Sequence, residues 1–317
     1  MSRILVTGGS GFVGGHLARE LHRQGHYVRV VDLSPESYID ERYYSEKQQM
    51  DLRIFEKCLI ATRDVDMVYN LAANMGGIGY ITSVGADVVH DNVLINANML
   101  EASRQNNTRR YFFSSSACVY PTYLQRKTDI IGLKEDDALP ADPDNFYGWE
   151  KLYSEKMCEA YSRDHGLEIR VARYHNIYGP EGAYKGGKEK SPAALCRKVA
   201  ETENPGKITI WGDGMQTRSY CYVDDAVAGT IALMNADYEK PVNIGSDRIV
   251  TINELADLII EISGKQIVKT YDFSAPQGVR GRNADITLAR TVLGWEPKIT
   301  LEDGLARTYR WIETKCG

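Results

Sequence analysis

The chain has 317 residues, of which 43% are hydrophobic and 26% charged, and its formal net charge is -5. This length allows two lobes, or one large lobe with an appendage, and the slightly acidic balance gives no general reason to expect a nucleic-acid partner. There is no apolar run of 18 residues, and the first residues run directly into a strand pattern. We therefore expect no membrane span, no signal peptide and a cytoplasmic location.

The first predicted elements are a buried strand over residues 3–7, a glycine-rich turn and an amphipathic helix. Glycines stand at positions 8, 11 and 14 of the turn. They allow a tight turn and a close approach of the backbone to a pyrophosphate, which the helix N-terminus then binds. We assign four residues of this region to a dinucleotide site: Gly8, Gly11, Phe12 and Val13.

The second strand, residues 27–31, ends at Asp32, eighteen residues after Gly14. A carboxylate at this point can accept hydrogen bonds from an adenosine ribose and would repel a 2′-phosphate. The position therefore predicts NAD as the cofactor, in preference to NADP. The alternative is an acidic turn residue without a ligand.

The spacing Gly-x-x-Gly-x-x-Gly resembles the extended short-chain dehydrogenase/reductase superfamily. The resemblance implies an α/β fold: a Rossmann-type doubly wound parallel sheet with a smaller α/β substrate-binding lobe. It also implies further cofactor contacts at Asp51, Leu52, Leu71, Ala72 and Ala73. A helix cap before Ile54 is the alternative interpretation of Asp51.

A long helix is predicted over residues 84–106, with Asn92 and Asn96 one turn apart. In the superfamily such asparagines fix the active-site helix, but an exposed polar stripe explains them equally well. The segment before this helix, residues 74–80, holds three glycines directly after a strand. We expect a loop that lies against a sugar, with a flexible connector as the alternative.

A strand over residues 109–114 leads to Ser116, and Tyr147 and Lys151 follow about thirty residues later. If Tyr147 opens a helix, it shares one face with Lys151, whose ammonium favours the phenolate and lowers the tyrosine pKa from about 10. This pair predicts a general base near neutral pH. The strand end would bring the Ser116 hydroxyl to the same place.

Cys118 lies two residues past Ser116, so an extended backbone would point both side chains to one side. A thiol near a cation can become a thiolate close to neutral pH, whereas a buried inert cysteine is the common alternative. The chain has six cysteines without CxxC spacing, and we expect reduced thiols, mostly in the core. We expect no metal site.

Six stretches spread over nearly the whole chain resemble the GDP-mannose 3,5-epimerases. They are residues 72–79, 115–121, 174–180, 185–193, 211–219 and 278–283. There are two departures: plant members carry an extra N-terminal segment, and Trp149 stands where we expect leucine. The resemblance implies epimerisation of GDP-D-mannose at C3 and C5 to GDP-L-galactose, with the C5 epimer GDP-L-gulose as an open second product.

The implied chemistry is a transient oxidation at C4 by bound NAD, because a C4 ketone makes the neighbouring hydrogens removable. The catalytic residues that match the family are Ser116, Cys118, Tyr147, Lys151 and Lys190. Tyr147 with Lys151 would move the C4 hydroxyl proton, and Ser116 would polarise the same oxygen. Cys118 and Lys190 would be the base and the acid at the inverted carbons, and the choice of Lys190 over Lys188 rests on the family motif.

The second half of the chain alternates helices and short strands. The helices are predicted at 192–203, 224–235 and 252–263, and the strands at 207–211, 242–244 and 266–271. No clean linker separates the halves. We expect a NAD-binding domain over residues 1–175, with a later segment of about 212–245 crossing back, and a domain for the sugar nucleotide mainly over residues 176–317.

Three arginines offer planar forks for a sugar-nucleotide pyrophosphate, although a surface ion pair is the alternative for each. The predicted substrate contacts are Met75, Gly76, Gly77, Ser116, Cys118, Asn176, Lys190, Arg218, Arg280 and Arg282. The GDP moiety follows from the resemblance, which also implies a homodimer. From the charge and the lack of a long apolar run we expect no nucleic-acid or membrane partner.

Other functions use parts of the same set of residues. A sugar-nucleotide 4,6-dehydratase needs a carboxylic acid pair where Ala117 and Cys118 stand. A simple 4-epimerase, or an epimerase of a related GDP-sugar, is the main competitor, and the 4-epimerase leaves Cys118 and Lys190 without a role. A non-enzymatic NAD-binding module is disfavoured because Tyr147 and Lys151 are both present.

Overall fold

The computed structural model describes residues 1–37 and 40–316, without the side chain of Glu41. The strands are β1 (Arg3–Thr7), β2 (Tyr27–Asp32), β3 (Glu46–Gln49), β4 (Met67–Asn70), β5 (Arg110–Ser116), β6 (Glu168–Tyr174), β7 (Ile177–Tyr178), β8 (Gly206–Trp211), β9 (Thr217–Ser219), β10 (Cys221–Tyr222), β11 (Val242–Ile244), β12 (Ile249–Thr251), β13 (Ile267–Asp272) and β14 (Gly281–Arg282).

The helices are α1 (Phe12–Arg23), α2 (Phe55–Ala61), α3 (Ile78–Ser83), α4 (Gly85–Gln105), α5 (Phe146–His165), α6 (Ser191–Glu201), α7 (Val223–Asn235), α8 (Ile252–Ser263), α9 (Thr287–Leu293) and α10 (Leu301–Cys316). Short 3-10 helices lie at Glu41–Tyr43, Ala117–Val119, Thr122–Gln125 and Glu135–Ala138. Within the described chain, none of the helices is long and apolar enough to cross a bilayer.

Seven parallel strands form the central sheet in the order β11-β6-β5-β4-β1-β2-β3. Successive side chains of a strand point to opposite faces, and β1 shows this: Ile4 and Val6 join one core cluster, whereas Leu5 joins the other. Helix α4 packs on both α2 and α5, and α1 packs on α7. The expected doubly wound α/β fold is confirmed.

The strand order reverses at β1, whose neighbours are β4 on one side and β2 on the other. In open parallel sheets a crevice opens at such a point, outside the carboxyl ends of the strands. The glycine-rich turn after β1, Asp32 at the end of β2 and the residues after β4 and β5 all lie at this edge.

The second half of the chain builds smaller sheets above that edge. Strand β7 pairs with β10, β13 pairs with β8, and β9 lies between β12 and β14. Strand β11 returns to the central sheet and pairs with β6. The chain therefore passes between the two halves more than once, and the boundary drawn at residue 175 remains a prediction.

Candidate active site

A cleft of about 1300 Å³ opens at the carboxyl edge of the central sheet, between the two halves of the chain. Its wall includes the glycine-rich turn, the ends of β2, β4 and β5, the start of α5 and a lysine-containing loop before α6. All the predicted site residues except Arg280 line it. The volume is large enough for two elongated ligands side by side.

The glycine-rich turn leaves no room for side chains. Gly8 has a φ of +66°, and a Cβ atom on Gly14 would lie 2.2 Å from the Gly8 carbonyl oxygen. Gly11 caps α1, which begins at Phe12. Free backbone N–H groups of the first turn of α1 therefore face the cleft, which is the arrangement that binds a phosphate.

Asp32 ends β2 beside this turn. Its carboxylate accepts hydrogen bonds from the backbone N–H groups of Ser10 at 3.0 Å and Ser34 at 2.9 Å. Each oxygen uses one acceptor site in this way, and a carboxylate has about four. Asp32 therefore holds the turn and retains acceptor sites for the hydroxyls of a ribose.

The remaining predicted cofactor contacts, including Val13, Leu52 and Ala73, line the same end of the cleft. The Asp51 carboxylate accepts from the backbone and guanidinium of Arg53, at 3.0 and 2.7 Å, whereas Ile54 precedes α2 with no side-chain cap. The helix-cap alternative for Asp51 is therefore wrong. The backbone N–H groups of Leu71 and Ala72 both donate to the Thr7 hydroxyl at 3.1 Å, which fixes the segment after β4.

Tyr147 and Lys151 lie one turn apart near the start of α5, which the Asn145 side chain caps. The Lys151 Nζ atom lies 5.5 Å from the centre of the Tyr147 ring and 4.8 Å from that of Phe113. Lys151 is 1% exposed, and within residues 1–37 and 40–316 its ammonium has no hydrogen-bond partner. An unpartnered buried ammonium is costly, and it fits a ligand that brings hydroxyl oxygens.

The prediction that Lys151 lowers the Tyr147 pKa is wrong for the protein alone. Burial raises the pKa of Tyr147 well above its ordinary value, and interactions with Cys118 and Glu150 add to this, while the Ser116 hydroxyl acts in the opposite direction. Burial also lowers the pKa of Lys151, which reduces the charge that it can offer. The four-residue spacing correctly predicted that Tyr147 and Lys151 lie one turn apart, but the loss of solvation on burial determines the pKa of both side chains.

The two asparagines of α4 are buried, so the exposed-stripe alternative is wrong. Asn96 donates to Glu150 at 2.7 Å and to the Ser154 hydroxyl at 3.1 Å, and both residues belong to α5. Asn92 accepts from the backbone N–H of Asn74 at 2.7 Å and donates to its carbonyl at 3.1 Å. Helix α4 therefore fixes both α5 and the loop after β4.

Ser116 and Cys118 line the cleft, but Cys118 lies in a 3-10 turn that follows Ser116, the last residue of β5. The Ser116 hydroxyl accepts from the Cys118 backbone N–H at 3.2 Å and caps the turn Ala117–Val119. The extended backbone that we expected here is wrong. Helix α5 packs directly on this turn, because a Cβ atom on Gly148 would lie 2.2 Å from the Cys118 carbonyl oxygen.

The glycine loop after β4 packs against the lysine loop. The backbone N–H of Gly77 donates to the Lys188 carbonyl at 3.1 Å, and a Cβ atom on Gly77 would lie 2.5 Å from the Glu189 carbonyl oxygen. Met75, Gly76 and Gly77 line the cleft beside these residues. Gly77 is therefore needed for loop packing, which argues against a flexible connector.

The two candidate lysines have different surroundings. The Lys188 Nζ atom lies over the Tyr80 ring, 4.5 Å from its centre. Lys190 is open to solvent at the mouth of the cleft, yet the surrounding protein desolvates its ammonium and lowers its pKa, while Cys118 opposes that shift electrostatically. Lys190 therefore interacts electrostatically with Cys118, while Lys188 lies over an aromatic ring.

Arg218 has the character of a phosphate ligand. Its guanidinium donates to the backbone carbonyl of Thr217 at 2.7 Å, and among the described residues it has no carboxylate partner. Burial and the nearby Arg282 lower its pKa to about 10. Asn176 lies close by with a φ of +44°, and its amide donates to the Ser219 carbonyl at 2.9 Å, which leaves one N–H free.

The other two arginines differ from the prediction. Arg280 does not line the cleft, because its guanidinium forms two hydrogen bonds of 3.0 Å with Asp213, as in the ion-pair alternative. Arg282 is buried and donates to the Cys118 sulfur at 3.2 Å. No sequence motif linked Arg282 to Cys118, since 164 positions separate them.

Within the described residues, no cluster of His, Cys, Asp or Glu side chains is arranged to hold a metal. A dinucleotide, by contrast, fits what is present: a glycine turn that a Cβ atom would fill, acceptor sites on Asp32 and the unpartnered ammonium of Lys151. Fold and site together define a nicotinamide-dependent enzyme, whose cleft also contains arginine and lysine side chains beyond the dinucleotide residues.

Residues 4–245 match the NAD dependent epimerase/dehydratase family, and the chain belongs to that family. Within it, the chain groups with the GDP-mannose 3,5-epimerases. It is 46% identical over 312 residues to GDP-mannose 3,5-epimerase 1 of Oryza sativa subsp. indica, which covers 98% of this chain and 82% of that protein. The GDP-mannose 3,5-epimerase of Arabidopsis thaliana is 45% identical with the same coverage.

Solved structures agree on the fold and the cofactor. The UDP-glucose 4-epimerase of Thermotoga maritima, determined with UDP-glucose, is 28% identical and superposes with a TM-score of 0.89 over 99% of this chain and 100% of that one. MoeE5, determined with UDP-glucuronic acid and NAD, is 26% identical with a TM-score of 0.84 over 99% of both chains. The cofactor of this chain is NAD, as its family is NAD dependent.

Proposed function

We propose that this enzyme epimerises GDP-D-mannose at C3 and C5 to GDP-L-galactose. The observation that carries the proposal is that one cleft is lined by Ser116, Tyr147 and Lys151 together with a thiol and an amine, those of Cys118 and Lys190. A 4-epimerase has no use for the last two. The similarity to plant GDP-mannose 3,5-epimerases supports both the sugar and the GDP moiety.

The glycine-rich turn, Asp32 and Lys151 would hold NAD. When bound, NAD would supply the oxidation of the C4 hydroxyl to a ketone and the later reduction of that ketone. Tyr147 moves the proton of the C4 hydroxyl, and Ser116 donates a hydrogen bond to the same oxygen. The raised pKa of Tyr147 keeps the phenol protonated in the protein alone, and any positive charge placed beside it favours the phenolate that accepts the C4 proton.

The hydrogens at C3 and C5 become removable when C4 is a ketone. Cys118 takes a proton from one face of the ring and Lys190 supplies one from the other, so that each carbon inverts. The lowered pKa of Lys190 favours transfer of its proton. Arg218 and Asn176 bind the pyrophosphate, and the backbone of the glycine loop, including Met75 and Gly76, borders the sugar.

Incubation with GDP-mannose in heavy water tests the proposal. We expect deuterium at both C3 and C5, detected by NMR of the recovered sugar nucleotides. Label at C5 alone would indicate an enzyme that makes only GDP-L-gulose. Label at neither carbon would contradict the proposal and favour a 4-epimerase, which exchanges no hydrogen with solvent.

Variants assign the two roles. Cys118→Ala should still let substrate reduce the bound cofactor, seen as nicotinamide absorbance, while deuterium exchange falls by about 10²- to 10⁴-fold. Lys190→Ala should likewise lose exchange, whereas Lys185→Ala serves as a matched control because Lys185 lies over Tyr184, outside the cleft. Undiminished exchange in Cys118→Ala would remove that residue from the mechanism.

We also propose a homodimer formed through α4 and α5. Phe146, Trp149 and Tyr153 are 67%, 47% and 56% exposed and follow one face of α5, and Leu94 on α4 is 36% exposed. Exposed apolar side chains at this spacing are typical of a helix that packs on a partner. Light scattering on the purified protein should give twice the mass of the chain, and Trp149→Glu should give a monomer.

A cytoplasmic location is likewise a proposal. It rests on the cysteines: in residues 1–37 and 40–316 all six are free, and four of them are buried. Free thiols are typical of proteins in a reducing compartment. Fractionation of cells that express the tagged full-length protein tests the location.

A further inference from the structure

Arg282 is held rigidly behind Cys118. It belongs to β14, is 7% exposed, and its Nη1 atom donates to the Cys118 sulfur at 3.2 Å. Its Nε atom donates to the Gln125 side chain at 2.6 Å, and its Nη2 atom lies 3.4 Å from an Asp144 oxygen. The guanidinium is therefore fixed on three sides, with one edge on the thiol.

The backbone of β14 is fixed as well. Arg282 pairs with Arg218 of β9, and a Cβ atom on Gly281 would lie 2.3 Å from the Lys127 carbonyl oxygen. Gly281 thus lets β14 pack against the segment that follows Gln125. A side chain held by two neighbouring segments and three hydrogen-bond partners loses little entropy when it binds an anion.

Several cations act on the Cys118 sulfur. Arg282 contacts it directly, and Arg218, Lys151 and Lys190 also interact with it electrostatically. Asp144, beside Arg282, is the carboxylate in this group of side chains. A cationic environment favours a thiolate over a thiol, and Asp144 reduces the effect.

Of these cations only an arginine remains charged through the whole reaction. If Lys190 donates its proton to the sugar, it is neutral afterwards and cannot stabilise the thiolate at that moment. Lys151 is occupied with Tyr147 and has a lowered pKa. Arginine cannot be deprotonated in proteins, so a guanidinium in contact with the sulfur keeps its charge at every step.

We propose that Arg282 is a positioning residue for Cys118. Its guanidinium stabilises the Cys118 thiolate while Lys190 loses and regains its proton. The carboxylate of Asp144 partly neutralises the guanidinium and so weakens this stabilisation. This inference rests on the proposed function, because it explains how Cys118 can serve as the base. It also replaces the sequence-based assignment of Arg282 to the substrate pyrophosphate.

The test is the pH dependence of Cys118 alkylation by iodoacetamide, because the thiolate is the reactive form. Peptide mass spectrometry reports Cys118 separately from the other cysteines and needs no catalysis. For Arg282→Gln we expect half-maximal alkylation at a pH at least about one unit higher than in the unchanged enzyme. For Asp144→Asn we expect a shift in the opposite direction, and for Arg282→Lys a smaller upward shift than for Gln.

Arg290→Gln is the matched control, since Arg290 forms ion pairs with Asp247 and Glu296 at the surface outside the cleft. Its alkylation profile should coincide with that of the unchanged enzyme. A second readout is kinetic: Arg282→Gln should lower deuterium exchange about 10- to 100-fold, while cofactor reduction by substrate changes less than about threefold.

Unchanged profiles in Arg282→Gln and Asp144→Asn, with folding verified by circular dichroism, would overturn the inference. If Arg282→Gln does not fold, Arg282→Lys and Asp144→Asn still decide it, because the first keeps the positive charge and the second keeps the size and shape of the side chain. If the profiles shift as expected but the unchanged enzyme exchanges no deuterium with GDP-mannose, the proposed function fails while the charge role of Arg282 stands.

Discussion

The two ends of the cleft are built in different ways. The cofactor end comes from strand ends and turns of the first half of the chain, and its tight points are backbone contacts, such as the 2.2 Å that would separate a Cβ atom on Gly14 from Gly8. The substrate end brings together Cys118, Lys190 and Arg282, which lie far apart in sequence, and Arg282 contacts Cys118 through its side chain.

The two ends also differ in charge. The cofactor end presents the carboxylate of Asp32, whereas the substrate end presents Arg218, Arg282 and Lys190. One end therefore suits ribose hydroxyls and the other a pyrophosphate and a thiolate. Substitutions at one end should therefore change cofactor binding, and substitutions at the other end should change substrate binding. Residues between the two ends, such as Tyr147, should affect the reaction itself.

Tyr147→Phe, at that boundary, should have the largest effect. Removing the hydroxyl that moves the C4 proton should lower both turnover and cofactor reduction by about 10²- to 10⁴-fold, with binding of both ligands nearly unchanged. Stopped-flow absorbance and calorimetry measure these quantities. Tyr161→Phe is a control on the same helix, where the hydroxyl contacts Glu101 outside the cleft. Unimpaired cofactor reduction in Tyr147→Phe would exclude Tyr147 as the base.

Arg218→Gln tests the substrate end. We expect KM for GDP-mannose to rise about 10- to 100-fold with kcat within about threefold, because a charge-assisted hydrogen bond contributes roughly 1.5–3 kcal/mol. The Kd of NAD should not change. Arg248→Gln is the control, since Arg248 pairs with Glu302 at the surface. An equal loss of NAD affinity would show that the two ends are not separable.

Asp32→Asn tests the cofactor end. The amide keeps the shape but loses the charge, so we expect about tenfold weaker NAD binding and a smaller preference over NADP, measured by fluorescence titration. KM for GDP-mannose should stay within about threefold. Asp257→Asn is the control, because Asp257 pairs with Lys269 at the surface. An unchanged preference for NAD would assign Asp32 to the turn alone.

The last prediction concerns the pH dependence of stability, which does not involve the cleft. His175 is fully buried, contacts Asn243 at 2.9 Å, and burial lowers its pKa to about 3. The unfolded chain binds a proton near pH 6.5 that the folded chain excludes, so stability is present above pH 6.5 and is lost as pH falls towards 3. We expect a loss of up to about 1.4 kcal/mol per pH unit in the free energy of unfolding.

Urea unfolding between pH 7 and pH 4 measures this dependence. His175→Gln should flatten it in part, whereas His90→Gln, a substitution of an exposed histidine on α4, should not. A profile in His175→Gln equal to that of the unchanged protein would show that His175 does not govern the pH dependence.

The sequence alone determined the features that local spacing encodes. The glycine turn, Asp32 at the end of β2 and the one-turn separation of Tyr147 and Lys151 were all predictable, because strand and helix periods fix where such residues lie relative to one another. The doubly wound parallel sheet was expected from the resemblance to the superfamily. The choice of sugar and of Lys190 came from family resemblance.

Only the tertiary structure decided the charge states and long-range contacts. Burial, which sums over segments distant in sequence, raised the pKa of Tyr147 where the spacing predicted a lower value. A 3-10 turn replaced the expected extended segment at Cys118, and Arg282 turned out to contact that sulfur. Desolvation and side-chain contact depend on the packing of the whole chain, and no short stretch of sequence specifies them.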